Sequence, residues 1–256
     1  MRKGIFAILL IALTLIIRSC NRNSGLKQNN ENSAAFDSSN NLGYVIENES
    51  YKKEGVSIKY PQINKLGDDV KQSEINEMIK SEAFTVTDLY EDTDVSTIEI
   101  DFKITWKSKN LISIQYYASG FSKGAAYPVD LLYTINIDIS KGSKLRLKDY
   151  INIDNNFVDK FRKYKVKDPD INQASEGAFE YILDTYSVDD LLKYFDGADS
   201  SYNNSAFTFS YFTKDSLGIS IEVPNAVGDH TEIELKYKDI KENIKEDNMV
   251  WEDFLG

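Results

Sequence analysis

Gly120-Phe121-Ser122-Lys123-Gly124 has the G-x-S-x-G spacing of a nucleophilic serine, with aspartates and then His230 downstream in the order of a Ser-Asp-His triad. Such a serine needs a strand that turns sharply into a helix, so that its hydroxyl stands exposed on a strained elbow. Here Gly124 is followed by Ala-Ala-Tyr-Pro and then by the period-two run Leu131 to Ile139, which leaves no room for that helix. The stretch therefore reads as a glycine-rich turn. His230 is the only histidine and Cys20 the only cysteine, so neither the multi-histidine and thiolate sets that hold zinc nor an internal disulfide can form. His230 itself reads as a turn-edge side chain after Gly228-Asp229.

Asp168-Pro169-Asp170-Ile171-Asn172 opens like a calcium loop, whose hard oxygens suit that ion. The register then fails, because the sixth position is Gln173 instead of glycine and the twelfth is Phe179 instead of glutamate. An Asp/Asn turn ahead of a helix accounts for it, and Asp88, Glu91, Asp92 and Asp94 read as a solvated loop. No metal or cofactor is expected. The 41 acidic residues leave a carboxylate pair for glycoside hydrolysis open, since the separation that defines such a pair is spatial. Aromatic residues are more suggestive. Tyr116, Tyr117, Phe121 and Tyr127 flank the glycine turn, and Tyr194, Phe195 and Tyr202 flank Asp196-Gly197. Rings beside adaptable loops suit recognition of protein or sugar, with plain sheet packing as their competing use.

The elements that position these residues follow from periodicity. Val56 to Tyr60 alternates and is ended or edged by Pro61. From Asp68 to Phe84 the apolar residues Val70, Ile75, Met78 and Ile79 fall at helical spacing, with Asp68 and Asp69 at the positive end of the helix dipole. Ile98, Ile100, Phe102, Ile104 and Trp106 line one face of a strand, and Lys-Ser-Lys-Asn turns it into a second strand from Leu111 to Ala118. Leu131 to Ile139 is a strand ended by Lys141-Gly142, and a short helix is expected near Phe157 to Tyr164. Glu176 to Phe195 is helical in two pieces, broken at Ser187, where Ser-Val-Asp-Asp has the form of a capping box. Ala206 to Thr213, Leu217 to Val223 and Thr231 to Tyr237 alternate as strands. The expected fold class is α+β, antiparallel sheets packed with a few helices in two successive α/β subdomains, 44–122 and 123–256.

The start of the chain carries an address. Arg2 and Lys3 precede an apolar run from Gly4 to Ile17, interrupted only by Thr14 and too short to span a bilayer. It ends in Ile17-Arg18-Ser19-Cys20. A charged start, an apolar core and a small residue before cysteine is the pattern of a lipoprotein export signal (residues 1–20), with Cys20 as the lipidation site; Arg18 departs from the usual small or apolar residue. Residues 21–43, rich in Asn and Ser, are expected to form a flexible tether. These features lead us to expect the protein on the extracellular face of a bacterial membrane, held by a lipid anchor, with an uncleaved signal anchor and an incidental cysteine as the alternative. The net charge is −11, and loss of the leader removes only basic residues, Arg2, Lys3 and Arg18. Such a surface repels nucleic acid and steers toward basic partners.

Three stretches together resemble the PdaC/RsiV-like extracellular domain family. Tyr60-Pro61-Gln62-Ile63 followed by Ile75-Asn76-Glu77-Met78-Ile79 looks like its opening. Gly124-Ala125-Ala126-Tyr127-Pro128, a strand, and Ser140 to Tyr150 look like its second half, and Pro224-Asn225-Ala226-Val227-Gly228-Asp229 like its closing loop. The order covers about Tyr44 to Ile244. The family often has Gly-Gly-Ala-His where this chain has Lys123-Gly124-Ala125-Ala126, and Pro-Tyr-Ala where it has Pro224-Asn225-Ala226. In that family the domain pair occurs in anti-sigma factors that bind lysozyme and in front of a peptidoglycan deacetylase; the short amino-terminal segment and the end at Gly256 lead us to expect neither attachment here. The resemblance implies a non-catalytic binding lipoprotein whose partner is a basic protein of the lysozyme kind or a cell-wall component such as peptidoglycan. The expected contact residues are Tyr116, Tyr117, Phe121, Ser122, Lys123, Gly124, Tyr127, Pro128, Pro224 and Asn225. A carboxylate-based enzyme acting on envelope glycan and a structural envelope lipoprotein are the alternatives.

Overall fold

A computed structural model describes residues 42–90, 95–164, 173–200 and 207–255. The expected leader and tether up to residue 41, Cys20, the Asp168–Asn172 turn, Glu91, Asp92, Asp94 and Tyr202 lie outside the described residues.

Six strands form one sheet in sequence order: β1 (Val45–Lys53), β2 (Val56–Asn64), β3 (Val95–Lys107), β4 (Leu111–Ser122), β5 (Val129–Asp138) and β6 (Ser143–Leu145). Neighbours are antiparallel except β2 and β3, which pair in parallel over Val56–Ile58 against Ile98–Ile100. A parallel pair needs a crossover, and the helix α1 (Asp69–Phe84) lies in that connection. Asp68 caps α1 by accepting from Lys71 N, and Ile75, Ile79 and Ala83 face the sheet. Val70, expected on that face, is 71% exposed in the first turn of the helix. Beyond Ile58 the paired register of β2 and β3 ends, and the side chain of Asn76 takes over. It accepts from Ile63 N at 2.8 Å and donates to Ile63 O at 2.9 Å, as a neighbouring strand would. The Pro61-Gln62-Ile63 and Ile75-Asn76 stretches thus meet each other for a structural reason.

A second sheet, β7 (Thr208–Phe212), β8 (Ser216–Glu222) and β9 (His230–Lys236), is antiparallel throughout. Four helices pack with it: α2 (Leu147–Tyr150), α3 (Asn155–Arg162), α4 (Gln173–Thr185) and α5 (Val188–Gly197). The capping box at Ser187 is present, with Asp190 bonded to both Ser187 N and Ser187 Oγ. Trp251, Phe212, Tyr150 and Tyr237 form the aromatic centre of this half, with Tyr150 and Phe212 rings 4.6 Å apart.

The α+β class holds, in two sheets with their helices. The expected boundary between residues 122 and 123 falls inside the six-stranded sheet, between the paired strands β4 and β5. Asn40–Gly256 is one compact unit that contains both hydrophobic cores.

Strand alternation makes β4 the divider. Ile112, Ile114, Tyr116 and Ala118 point into the core under α1, while Leu111 joins the second core. Between them on the second face stand Ser113 and Gln115, buried and polar. They belong to a junction in which Ser113 Oγ donates to Asn136 and accepts from Phe212 N, and Thr134 and Asn136 both donate to Ser210 O at 2.6 and 2.8 Å. Buried polar groups are tolerated when paired, and these carry β7 against β4 and β5. Asp199 completes the junction from the end of α5.

Candidate functional site

The turn from Ser122 to Pro128 joins β4 to β5. Ala125 N donates to Ser122 O at 3.0 Å, and Gly124 sits at φ +91°, where a Cβ would be strained. No helix follows Ser122 in this turn, so the serine-elbow geometry is not built. Lys123 to Pro128 are exposed, Tyr127 at 70%. Phe121 and Ser122 are half-buried at its base. The second expected contact region, Pro224 to Gly228, is a 3-10 turn closed by Gly228 at φ +117°, with Pro224 and Asn225 exposed.

These two loops, about a hundred residues apart in sequence, are joined by Asp229. Its carboxylate accepts from Asp130 N at 3.2 Å, just past the first turn, and from Asn225 Nδ2 at 3.0 and 3.2 Å. The structure therefore ties Asn225, in the second turn, to the start of β5, where the Ser122–Pro128 turn ends.

Tyr116 does not belong with them. It is fully buried beneath α1, stacked on Tyr133 at 5.1 Å, and its hydroxyl donates to Ile79 O at 3.0 Å. Successive strand residues face opposite ways, so of the pair Tyr116 and Tyr117 only the latter, 37% exposed, reaches the outer face. The same rule corrects Trp106. A register shift between Ile104 and Trp106 turns its side chain to the second core, away from Ile98 and Ile100. Tyr194 and Phe195 pack in the second core as well.

Below the joined loops lies a groove of about 530 Å³ on the outer face of the six-stranded sheet, lined among others by Ser57, Lys59, Glu99, Tyr117, Asp130 and His230. The ladder puts Ser57, Glu99, Ser119 and Asp130 side by side in one row. Asp101 and Tyr117 pair in the next row, where Lys59 reaches Asp101 at 2.5 Å. Glu99 and Asp130 flank β4, about 10 Å apart at the usual strand spacing. His230 opens β9 as the groove's wall, and its buried Nδ1 has no hydrogen-bond partner. Tyr117 donates to Gln115 Oε1 at 2.8 Å, and Gln115 in turn donates to Glu232 at 2.7 Å. Burial, and then the Glu232 charge, push the Tyr117 phenol up, so it stays a neutral donor. Glu222, opposite His230 in the ladder, is also pushed up, first by burial and then by Asp229. Glu99 and Asp130 escaped the sequence reading, and His230, read as a turn-edge side chain, stands in the groove's wall. The alternation of Glu99 and Asp101 with Ile98 and Ile100 is the signal that they share one open face, but only the pairing of four strands makes a groove of it.

Solved structures place this architecture. The chain shares its fold with a DUF3298 family protein from Bacteroides fragilis. The crystal structure of that protein superimposes with a TM-score of 0.51 over 84% of this chain and 100% of its own, at 12% sequence identity. A DUF3298 family protein from Pseudomonas aeruginosa aligns over 80% of this chain and 97% of its own, at 12% identity and a TM-score of 0.43. The sequence matches no protein-family model and no curated protein. The likeness is one of fold, and it is consistent with the resemblance to PdaC/RsiV-like domains. Among the described residues no group of three or more His, Cys, Asp or Glu side chains is arranged to hold a metal ion, and no helix is long and apolar enough to cross a membrane.

Proposed function

We propose that the protein is a surface-anchored, non-catalytic binding lipoprotein whose partner is a basic protein, lysozyme-like, or a cell-wall component. The observation that carries this reading is the joining of the Ser122–Pro128 and Pro224–Gly228 turns through Asp229 into one exposed surface. An exposed tyrosine on a glycine turn is an adaptable contact with a large ring. The carboxylates beside it stand along an open sheet face, without the facing pair across a closed cleft that glycosidic chemistry uses. The chain also enters the fold at the other end: Tyr44 donates to Ser108 O at 2.8 Å, beside the β3–β4 turn. The twelve residues of β4 separate that point from the loops by about 40 Å.

Calorimetry of Asn40–Gly256 with lysozyme at low salt tests the partner. A heat that shrinks as salt rises is expected, and heats no larger than dilution would remove the lysozyme version; the same titration with soluble peptidoglycan fragments reads the cell-wall version. Lipidation is tested on the full chain by mass spectrometry of its membrane fraction, where Cys20→Ser should lose both the acyl mass and the membrane.

A further inference from the structure

The outer face of the six-stranded sheet is covered in its lower half and bare in its upper half. Along β4, Ser113 and Gln115 are buried beneath the second sheet, whereas on the same side Tyr117 is exposed and Ser119 half-buried. The three-stranded sheet stops at His230, which leaves a walled sheet face that no described element covers. Asp101 there is neutralised by Lys59. Glu99 and Asp130 have no lysine or arginine nitrogen within 4 Å among the described residues, and Asp229 and Glu232 bonded at the border add further negative charge.

We infer that this bare upper face docks a cationic segment of the partner protein, with guanidinium or ammonium groups seated at Glu99 and Asp130 beside the Tyr117 ring. The inference rests on the binding reading and adds to it a ligand class and a second contact surface, next to the joined loops. Charge complementarity selects the occupant. A phosphate-bearing or acidic ligand would be repelled, and so would a second copy of a chain with net charge −11. A guanidinium gains twice here, since its flat face also suits the exposed side of an aromatic ring.

The test titrates an end-blocked arginine hexapeptide into Asn40–Gly256 by calorimetry at low salt. The double variant Glu99→Gln/Asp130→Asn is compared with Glu49→Gln/Glu77→Gln, which removes the same charge at exposed positions on β1 and α1. Loss of two exposed ion pairs should weaken peptide binding about fivefold in the first variant, while the control stays within about twofold of the parent. Equal weakening in both variants, weakening in neither, or no binding by the parent overturns the inference. Lysozyme heats separate the two proposals. A chain that binds peptide at this face and gives no heat with lysozyme keeps the docking face and loses the lysozyme reading. A chain that binds lysozyme equally with and without Glu99 and Asp130 keeps the reading and loses this face.

Discussion

Replacing Asp199 by Asn should abolish part of the pH dependence of stability. Asp199 is fully buried, at φ +58°, where the α5 end meets both sheets. One carboxylate oxygen accepts from Ser210 N at 2.7 Å and the other from Leu147 N at 2.8 Å, with Ser210 Oγ at 2.5 Å and Thr134 Oγ1 at 3.4 Å completing the shell. Burial raises its pKa from 3.8 to about 6, against the pull of the Ser210 hydrogen bonds, Lys144 and Leu147 N. An acid held above its unfolded value binds its proton first in the folded state. The stability it contributes is therefore complete below pH 3.8 and is lost as pH rises toward and through about 6. The full loss is about 3 kcal/mol at 1.36 kcal/mol per pH unit, of which about 1 kcal/mol falls between pH 5 and pH 7. An asparagine cannot titrate. Its amide turns a donor toward Ser210 N or Leu147 N, and the orphaned backbone group costs about 1–3 kcal/mol at every pH. Level and slope are thus separable: the variant shifts in level but lacks the slope. Glu82 and Glu222, also pushed up, mainly by burial, contribute equally to both proteins and cancel in the difference. Urea unfolding followed by the fluorescence of buried Trp251 at several pH values between 5 and 7 measures it. Parallel profiles for parent and variant would refute the claim that Asp199 is the titrating group.

Two further substitutions probe close contacts. Gly218→Ala would put a methyl 2.1 Å from the Tyr211 ring that covers it across the β7–β8 ladder; thermal unfolding should show a loss of about 1–3 kcal/mol from overpacking, and an unchanged melting temperature would mean the ring is free to move. Asn76→Ala strips both bonds from Ile63 and should cost about 2–3 kcal/mol in urea unfolding, with Asn76→Asp falling between because it keeps only the acceptor; an Asn76→Asp variant as stable as the parent would show that the donated bond to Ile63 O contributes nothing.

Much of this fold is legible in the sequence. The period-two runs of β3, β4 and β5 and of the second sheet, the Ser187 cap and the Lys107–Asn110 turn are local patterns with local causes. The first strand was not legible, because β1 is an edge strand exposed along nearly all its length, so Val45–Lys53 has no apolar face to alternate. The parallel pairing of β2 and β3 depends on where α1 packs, which periodicity does not encode. The register shift that turns Trp106 depends on the partner strand. At the site, turn chemistry located the Ser122–Pro128 turn and the family resemblance the Pro224–Gly228 loop, both of which hold a glycine at positive φ, but their meeting through Asp229 is a contact across about a hundred residues. Tyr116 was misassigned for a plainer reason: adjacent tyrosines on a strand cannot share a face, and composition near a turn does not respect alternation.

The polar junction explains why the molecule has an open face at all. A sheet buried on both sides reads as continuous apolar strands, and β4 departs from that with Ser113 and Gln115 on its second side. Ser113 accepts from Phe212 N of β7, Asn136 of β5 donates to Ser210 O, and Gln115 donates to Glu232 of β9, and these directional hydrogen bonds hold the second layer against this part of the sheet. Above Gln115 the same side of β4 carries Tyr117 and Ser119, and its neighbours carry Glu99 and Asp130. An apolar layer laid there would strand those carboxylates without water, at a cost well above what the added burial returns. The charges that stop the second sheet from advancing are therefore the ones left facing solvent beside the joined loops, and one set of residues sets both the limit of the core and the character of the surface a partner meets.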